Sequence, residues 1–319
     1  MNVSKVFCAA TLLFGAGFAS LVQAGEKIDE VLDVRANGQV SIENMRGTVE
    51  IVGWNKNQMS VTGELDEKAK GYTFETENGY TVFKVKVPKR MRGGYKDEDG
   101  SQLKIFVPKG SNVEFQSVNG DVSIKSVSGG ANIHTVNGNV RAEALTKRIR
   151  LETVNGDIRA KGLDGKIKLA TVNGKVVDHG SKGQVVYTTV NGSIDSRSQA
   201  TRVIVENVNG EIDLDLKTTD ELEISTVNGN VDASVELSND ATVTITTVSG
   251  NATLSVSGDV GGRFRLASHA GGRIKNRLTD DQVTKQKYGP ARNLKFSIGG
   301  GDAKVEMTSV SGNLTIQKK

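Results

Sequence analysis

The amino-acid sequence predicts an all-β fold, a single-stranded β-helix or β-solenoid with about 18 residues per coil, and three observations carry that prediction. A V-N-G motif places Asn at 119, 137, 155, 173, 191 and 209, in equal steps of 18 residues, and again at 228; Ser takes its place at 249 and 311. Apolar residues keep constant offsets from that Asn: six and four before it, one before it, and three and five after it, as in Ile149, Leu151, Val154, Ile158 and Ala160 around Asn155. Spacing by two on either side of the motif is strand alternation, and the break at the Asn is a corner. Helix signals are absent, since β-branched residues dominate and turn residues recur too often for a helix to grow.

Residues 1–24 read as a secretory signal, with MNVSK, an apolar run to Val22 and a small-residue site at Ala24 before the polar GEKIDE. Cleavage after Ala24 is expected, rather than retention as an anchor. The one cysteine, Cys8, lies inside the apolar run and not at a lipobox, so lipidation is not expected and residues 25–319 form no disulfide. Without the signal the chain keeps 40 basic and 37 acidic residues, and it has no later apolar run long enough to span a membrane as a helix.

Residues 25–319 are expected to form a single solenoid domain. Its first half-coils, ANGQVSIEN and MRGTVEIVG, cover 36–53. The period blurs over 54–108, an irregular N-terminal part with a loop expected at 90–102, and regular coils follow over 109–257. Within them a looser second corner, VSG at 127–129, LDG at 163–165 and SKG at 181–183, divides each coil into two nine-residue halves. A basic insertion covers 258–302 and is expected to project from the stack or cap it. Val305, Met307, Val310, Leu314 and Ile316 keep all five offsets around Ser311, so 303–319 must return to the stack, where these final strands are expected to cap its C-terminal edge.

Asn-Gly suits a tight corner because Gly lacks a Cβ and Asn tolerates positive φ. Stacked coils would set Asn119, Asn137, Asn155, Asn173, Asn191, Asn209 and Asn228 about 4.8 Å apart, in reach of an amide ladder. The Thr or Ser two residues earlier is expected to form a similar outward row. The motif is thus read as a structural corner repeated.

The stretches VSIENMRGTVEIVGW, LKIFVPKGSNVEFQSVNGDVSI and FSIGGGDAKVEMTSVSGNLTI resemble the toastrack-type adhesin-like family, a bacterial β-strand repeat family of largely unknown function. The resemblance covers most of residues 25–319. It implies a right-handed coil and a place at the cell envelope, and it brings no catalytic residue set.

Chemistry-bearing residues are few. His134, His179 and His269 have no ligand-spaced partners, so neither a metal nor a cofactor is expected. A calcium roll fails on spacing, because each half-coil has one Gly and no fixed Asp. Asp178 occupies an offset filled by Ile124, Ala142, Ala160, Leu214 and Ala233 elsewhere. A bulge that turns it to water is expected; a polar pocket with His179 and Ser196 is the alternative.

Charge is banded along the chain: residues 141–182 hold ten basic and five acidic residues, 206–240 one basic and ten acidic, and 263–295 nine basic and two acidic. Arg263, Arg265, Arg273, Lys275, Arg277, Lys285, Lys287, Arg292 and Lys295 therefore stand as candidates for binding an anionic surface. The function expected is an exported, non-enzymatic interaction, adhesin-like or scaffold module, periplasmic or at the cell surface. The alternative is a carbohydrate-binding or carbohydrate-cleaving β-helix that uses the Asp178 region. Expected partners are an envelope component or a protein, with self-association through the charge bands as a further route. Export and the lack of aromatic platforms disfavour nucleic acid.

Overall fold

The computed structural model describes residues 25–88, 100–258 and 261–319. The signal expected at 1–24 and most of the loop expected at 90–102 lie outside them. Among the described residues there is no helix long and apolar enough to cross a membrane.

The middle of the molecule is a parallel β-solenoid. Ile149 pairs with Ala131 on one side and Ile167 on the other, and Asn155 with Asn137 and Asn173, so each residue lies beside its equivalent 18 positions away. Alternation turns Ile149, Leu151, Ile158 and Ala160 into a common core where none exceeds 4% exposure. Leu145 and Leu163, at the second corner, close the core from the far side. Because each coil contributes the same few side chains, the interior is a set of aliphatic columns that bury apolar area with every added coil.

The corner differs from expectation in three respects. The residue two before the Asn points inward: Thr135, Thr153, Thr171 and Thr189 are all buried. Their hydroxyls donate to glycine carbonyls, Thr135 to Gly120 (3.2 Å), Thr153 to Gly138 (2.9 Å) and Thr171 to Gly156 (3.0 Å). The valine after it, expected in the core, points out; Val172, Val190, Val208, Val227 and Val248 are exposed. Alternation continues through the Thr up to the corner, so the next residue must face solvent.

No corner Asn has positive φ among the described residues, and of the glycines that follow only Gly210 and Gly250 do. The left-handed column lies instead at the second corner, in Ser126, Ala144, Gly162 and Gly180. Glycine follows the Asn for a different reason. A Cβ on Gly138, Gly156, Gly174 or Gly192 would overlap the carbonyl oxygen of the glycine one coil back.

Stack order departs from chain order at both ends. The coil of Gln39–Glu43 and Arg46–Trp54 lies between Tyr80–Val85 and Ser101–Pro108 on its outer side and Asn112–Gln116 and Asn119–Lys125 on its inner side. At the other end, Ala303–Ser309 and Leu314–Lys318 fit between Val231–Ser249 and Ala252–Ser257 on one side and Gly262–Ser268 and Ile274–Arg277 on the other. The final strands therefore do not cap the stack, and the basic segment lies beyond them as the terminal coil. A coil held on both edges has no free edge along which to fray.

Antiparallel strands finish both ends. Tyr72–Glu77, Gln58–Glu64 and Lys27–Asp33 close the N-terminal end, and Arg292–Ile298 with Thr284–Lys285 closes the C-terminal one. At the N-terminal end Arg46 takes the ladder position beside Asn119, and its guanidinium pairs with the buried Asp66 at 2.8 Å.

Candidate functional site

The C-terminal cap concentrates the cations. Gly262–Ser268 runs between Ala303–Ser309 on one side and Arg292–Ile298 on the other, and alternation sends Arg263 and Arg265 outward while Phe264 and Leu266 go into the core. Register sets Arg265 beside Lys295 and Glu306, and Arg263 beside Ser297 and Lys304. Beneath them Phe264 and Phe296 stack with centroids 4.8 Å apart and planes 4° apart, a rigid floor for the face.

These residues line a concave surface that encloses about 720 Å³. Of its four cations only Arg265 has an acid, Glu306, at 3.3 Å. Arg263, Lys295 and Lys304 have no ion pair among the described residues. Like charges on neighbouring strands repel, so a face of this kind favours an anion. Lys304 joins through the final coil, and its membership was not legible from the sequence because 304 lies outside the basic segment and meets it only through strand pairing.

The other candidates separate from this face. Arg273, Lys275, Lys285 and Arg292 line a second recess of about 350 Å³ around Ile274 and Val283. There Arg292 is anchored, its Nη1 donating to the carbonyls of Gly272 (2.7 Å) and Gly271 (3.3 Å). Arg277 donates to Gln317 (3.3 Å), and the Lys287 ammonium lies 5.5 Å from the Tyr288 ring. The nine cations thus divide between two recesses and two outlying positions.

The corner asparagines form a hydrogen-bonded row. Nδ2 of Asn137 donates to Oδ1 of Asn119 at 2.7 Å, and Asn155, Asn173, Asn191, Asn209 and Asn228 each repeat the bond to the coil before at 2.7–3.2 Å. A second ladder runs two residues further on, where a side-chain oxygen accepts the next coil's backbone N–H: Asp121 from Asn139, Asn139 from Asp157 and Asp157 from Lys175. The recurrence of Asp and Asn at 121, 139, 157, 230, 251 and 313 was its signal in the sequence. Both rows spend their polar groups on the stack.

Asp178 does not turn to water. It is fully buried, because the irregularity in strand register falls after His179 and leaves Asp178 at its inward offset. Its Oδ1 accepts from Ser181 Oγ at 2.5 Å and its Oδ2 from Tyr187 OH at 2.6 Å; Tyr187 OH also meets Ser196 Oγ at 2.8 Å. Burial pushes the carboxyl upward from the usual aspartate value, against the pull of Ser181, Tyr187 and the charge of His179. Burial, with Asp178 beside it, raises the Tyr187 phenol well above its ordinary value. The sequence signal was Tyr187 itself, a phenol at an offset where neighbouring coils carry Leu169 and Val205. Asp178 is closed off from solvent and His179 is exposed, so the two do not share a pocket.

His134, His179 and His269 are all exposed. Among the described residues no group of three or more His, Cys, Asp or Glu could hold a metal ion.

No curated protein sequence matches the chain. Two crystal structures resemble it at low identity. A "putative cell adhesion protein" from Clostridium sporogenes ATCC 15579 is 10% identical, with 92% of this chain and 100% of that chain covered and a TM-score of 0.24. A "putative adhesin" from Bacteroides fragilis NCTC 9343 is 12% identical, with 93% and 99% covered and a TM-score of 0.35. The Toastrack DUF4097 family model matches residues 37–317, from the first full coil to the last strand, and the chain belongs to that family.

Proposed function

We propose that this Toastrack protein is an exported, non-enzymatic interaction module of the cell envelope, adhesin-like in use, and that its C-terminal cap holds an anionic surface. The observation that carries the reading is the concave face of Arg263, Arg265, Lys295 and Lys304, with one acid among four cations. A rigid, outward sheet with unpaired cations attracts phosphate or carboxylate groups at long range, and the attraction weakens as salt screens it. The N-terminal signal read from residues 1–24 supports export, and the phosphate-bearing lipids of an envelope supply such a surface.

The test is co-sedimentation of the purified protein with outer-membrane and sacculus fractions of its own host across a salt series, beside an Arg263→Gln, Arg265→Gln, Lys295→Gln, Lys304→Gln variant. Binding that falls with salt and is lost in the variant supports the assignment. Binding that the variant retains, or none to either fraction, overturns it.

A further inference from the structure

A second surface carries a different pattern. On the outer face of the strands that lead into each corner, Arg150, Lys168, Val186, Ile204, Glu223 and Thr244 lie side by side on six successive coils. The row two residues earlier reads Arg148, Lys166, Gln184, Arg202, Glu221 and Thr242 in the same order. In these two rows cations occupy the first two coils, Val186 and Ile204 with Gln184 and Arg202 the middle, and acids the coil after them. Lys166 and Glu223 have no ion pair among the described residues. Lys168 pairs within the chain with the half-buried Glu152 at 3.6 Å, and Glu221 with the exposed Arg202 at 3.0 Å; such pairs at a surface hold little energy.

We propose that this face is the contact of an antiparallel, two-fold symmetric homodimer. A two-fold axis along the strand direction, between the coils of Val186 and Ile204, keeps each row over its own copy and reverses the order of the coils. Val186 of one copy then meets Ile204 of the other, Lys168 meets Glu223, and Lys166 meets Glu221, each contact occurring twice. Arg150 and Arg148 meet Thr244 and Thr242, and Gln184 meets Arg202. In the third row Ala170 meets Ser225 and Thr188 meets Glu206. In none of these three rows does a charge face its like.

The sign of the face reverses about its own midpoint, which is why the occupant is a second copy. A uniformly charged partner would match one half and repel the other. Two copies with parallel axes would set Lys168 on Lys168 and Glu223 on Glu223, so charge also selects the orientation. Six coils at about 4.8 Å, crossed by seven residues at about 3.3 Å, give roughly 600 Å² per copy. That is near the lower edge of specific interfaces, and the dimer is accordingly reversible. The antiparallel arrangement sets the two C-terminal caps at opposite ends, so that one dimer has two separated ends with which to engage a surface.

Sedimentation velocity of the purified protein from low to high micromolar concentration tests this without reference to any envelope ligand. The wild-type chain is expected to pass from monomer to dimer. K166E/K168E and E221K/E223K, each checked for an unchanged melting temperature, are expected to dimerise at least tenfold more weakly alone. Mixed in equal amounts they are expected to form a heterodimer, because every repulsion in either parent becomes an attraction between them. A wild-type chain that stays monomeric at high micromolar concentration, swapped variants that dimerise like wild type, or a mixture that does not associate would each overturn the proposal.

Discussion

Tyr187 OH donates to Asp178 Oδ2 at 2.6 Å inside a mainly aliphatic core. Asp178 and Tyr187 are nine residues apart, half of the 18-residue period, so one hydrogen bond crosses the interior between opposite walls of the coil. An acid in that position is tolerated because three hydroxyl-bearing side chains, Ser181, Tyr187 and Ser196, surround it.

The linkage between Asp178 and stability has a definite sign. Its folded-state pKa is raised, so the folded chain holds the proton more tightly than the unfolded chain does. The contribution is present in full below the unfolded aspartate value and is lost as pH rises through the folded one. Asp178→Asn removes this titration and keeps the shape. Its melting temperature should gain on wild type as pH rises through that window, then run parallel to it; a constant difference across the range would contradict the raised pKa. Tyr187→Phe withdraws a donor from the buried acid and should cost about 1–3 kcal/mol in denaturant titration at neutral pH.

Asn173 and Lys175 are separated by one residue and differ in what the stack takes from them. Asn173 donates to Asn155 at 2.8 Å and accepts from Asn191 at 3.1 Å, whereas the Lys175 side chain reaches only Asp195 at the surface, at 3.1 Å. Asn173→Leu should cost about 1–2 kcal/mol through two lost ladder bonds. Lys175→Leu should stay within about 0.5 kcal/mol. Denaturant midpoints that coincide would remove the ladder as a source of stability.

Glycine should respond in opposite ways at the two corners. Gly174→Ala drives a methyl into the Gly156 carbonyl and should cost about 1–3 kcal/mol or more. Ala144 has φ of 52°, so Ala144→Gly relieves a left-handed residue and should raise stability by up to about 1 kcal/mol. Thermal melts of the two single variants should move to either side of wild type.

Arg46 and Asp66 are both nearly fully buried at the N-terminal end of the stack, and Asp66 also accepts from the Lys68 backbone at 2.8 Å. Asp66→Ala removes a buried charge-assisted contact to the guanidinium and should cost about 1–3 kcal/mol. Hydrogen exchange should show the loss first in Gln39–Glu43 and Tyr80–Val85, the strands at that end; uniform exchange along the stack would assign the pair no local role.

The Asn spacing and the flanking alternation were enough to identify the coil, its length, its two corners and most of its core, because each of these repeats locally and is recorded in every copy. A period of 18 residues forces equivalent residues into register, and Ile149, Leu151 and Ile158 had to face inward once that register existed. The basic residues of 263–295 were visible as a charge band for the same reason.

Only the tertiary structure decided what depends on pairing between distant segments or on the path through a corner. Spacing alone does not say on which side of the chain a turn begins, so Thr171 and Val172 exchanged the places expected of them. Nor does chain order dictate stack order: 303–318 slots between earlier coils because an edge held on both sides is lower in free energy than one left open. That insertion brings Lys304 to Arg263, and the enclosure of Asp178 likewise required the phenol of the opposite wall to be in reach. Repetition along the chain specifies the stack, while contacts that do not repeat are settled only when the coils meet.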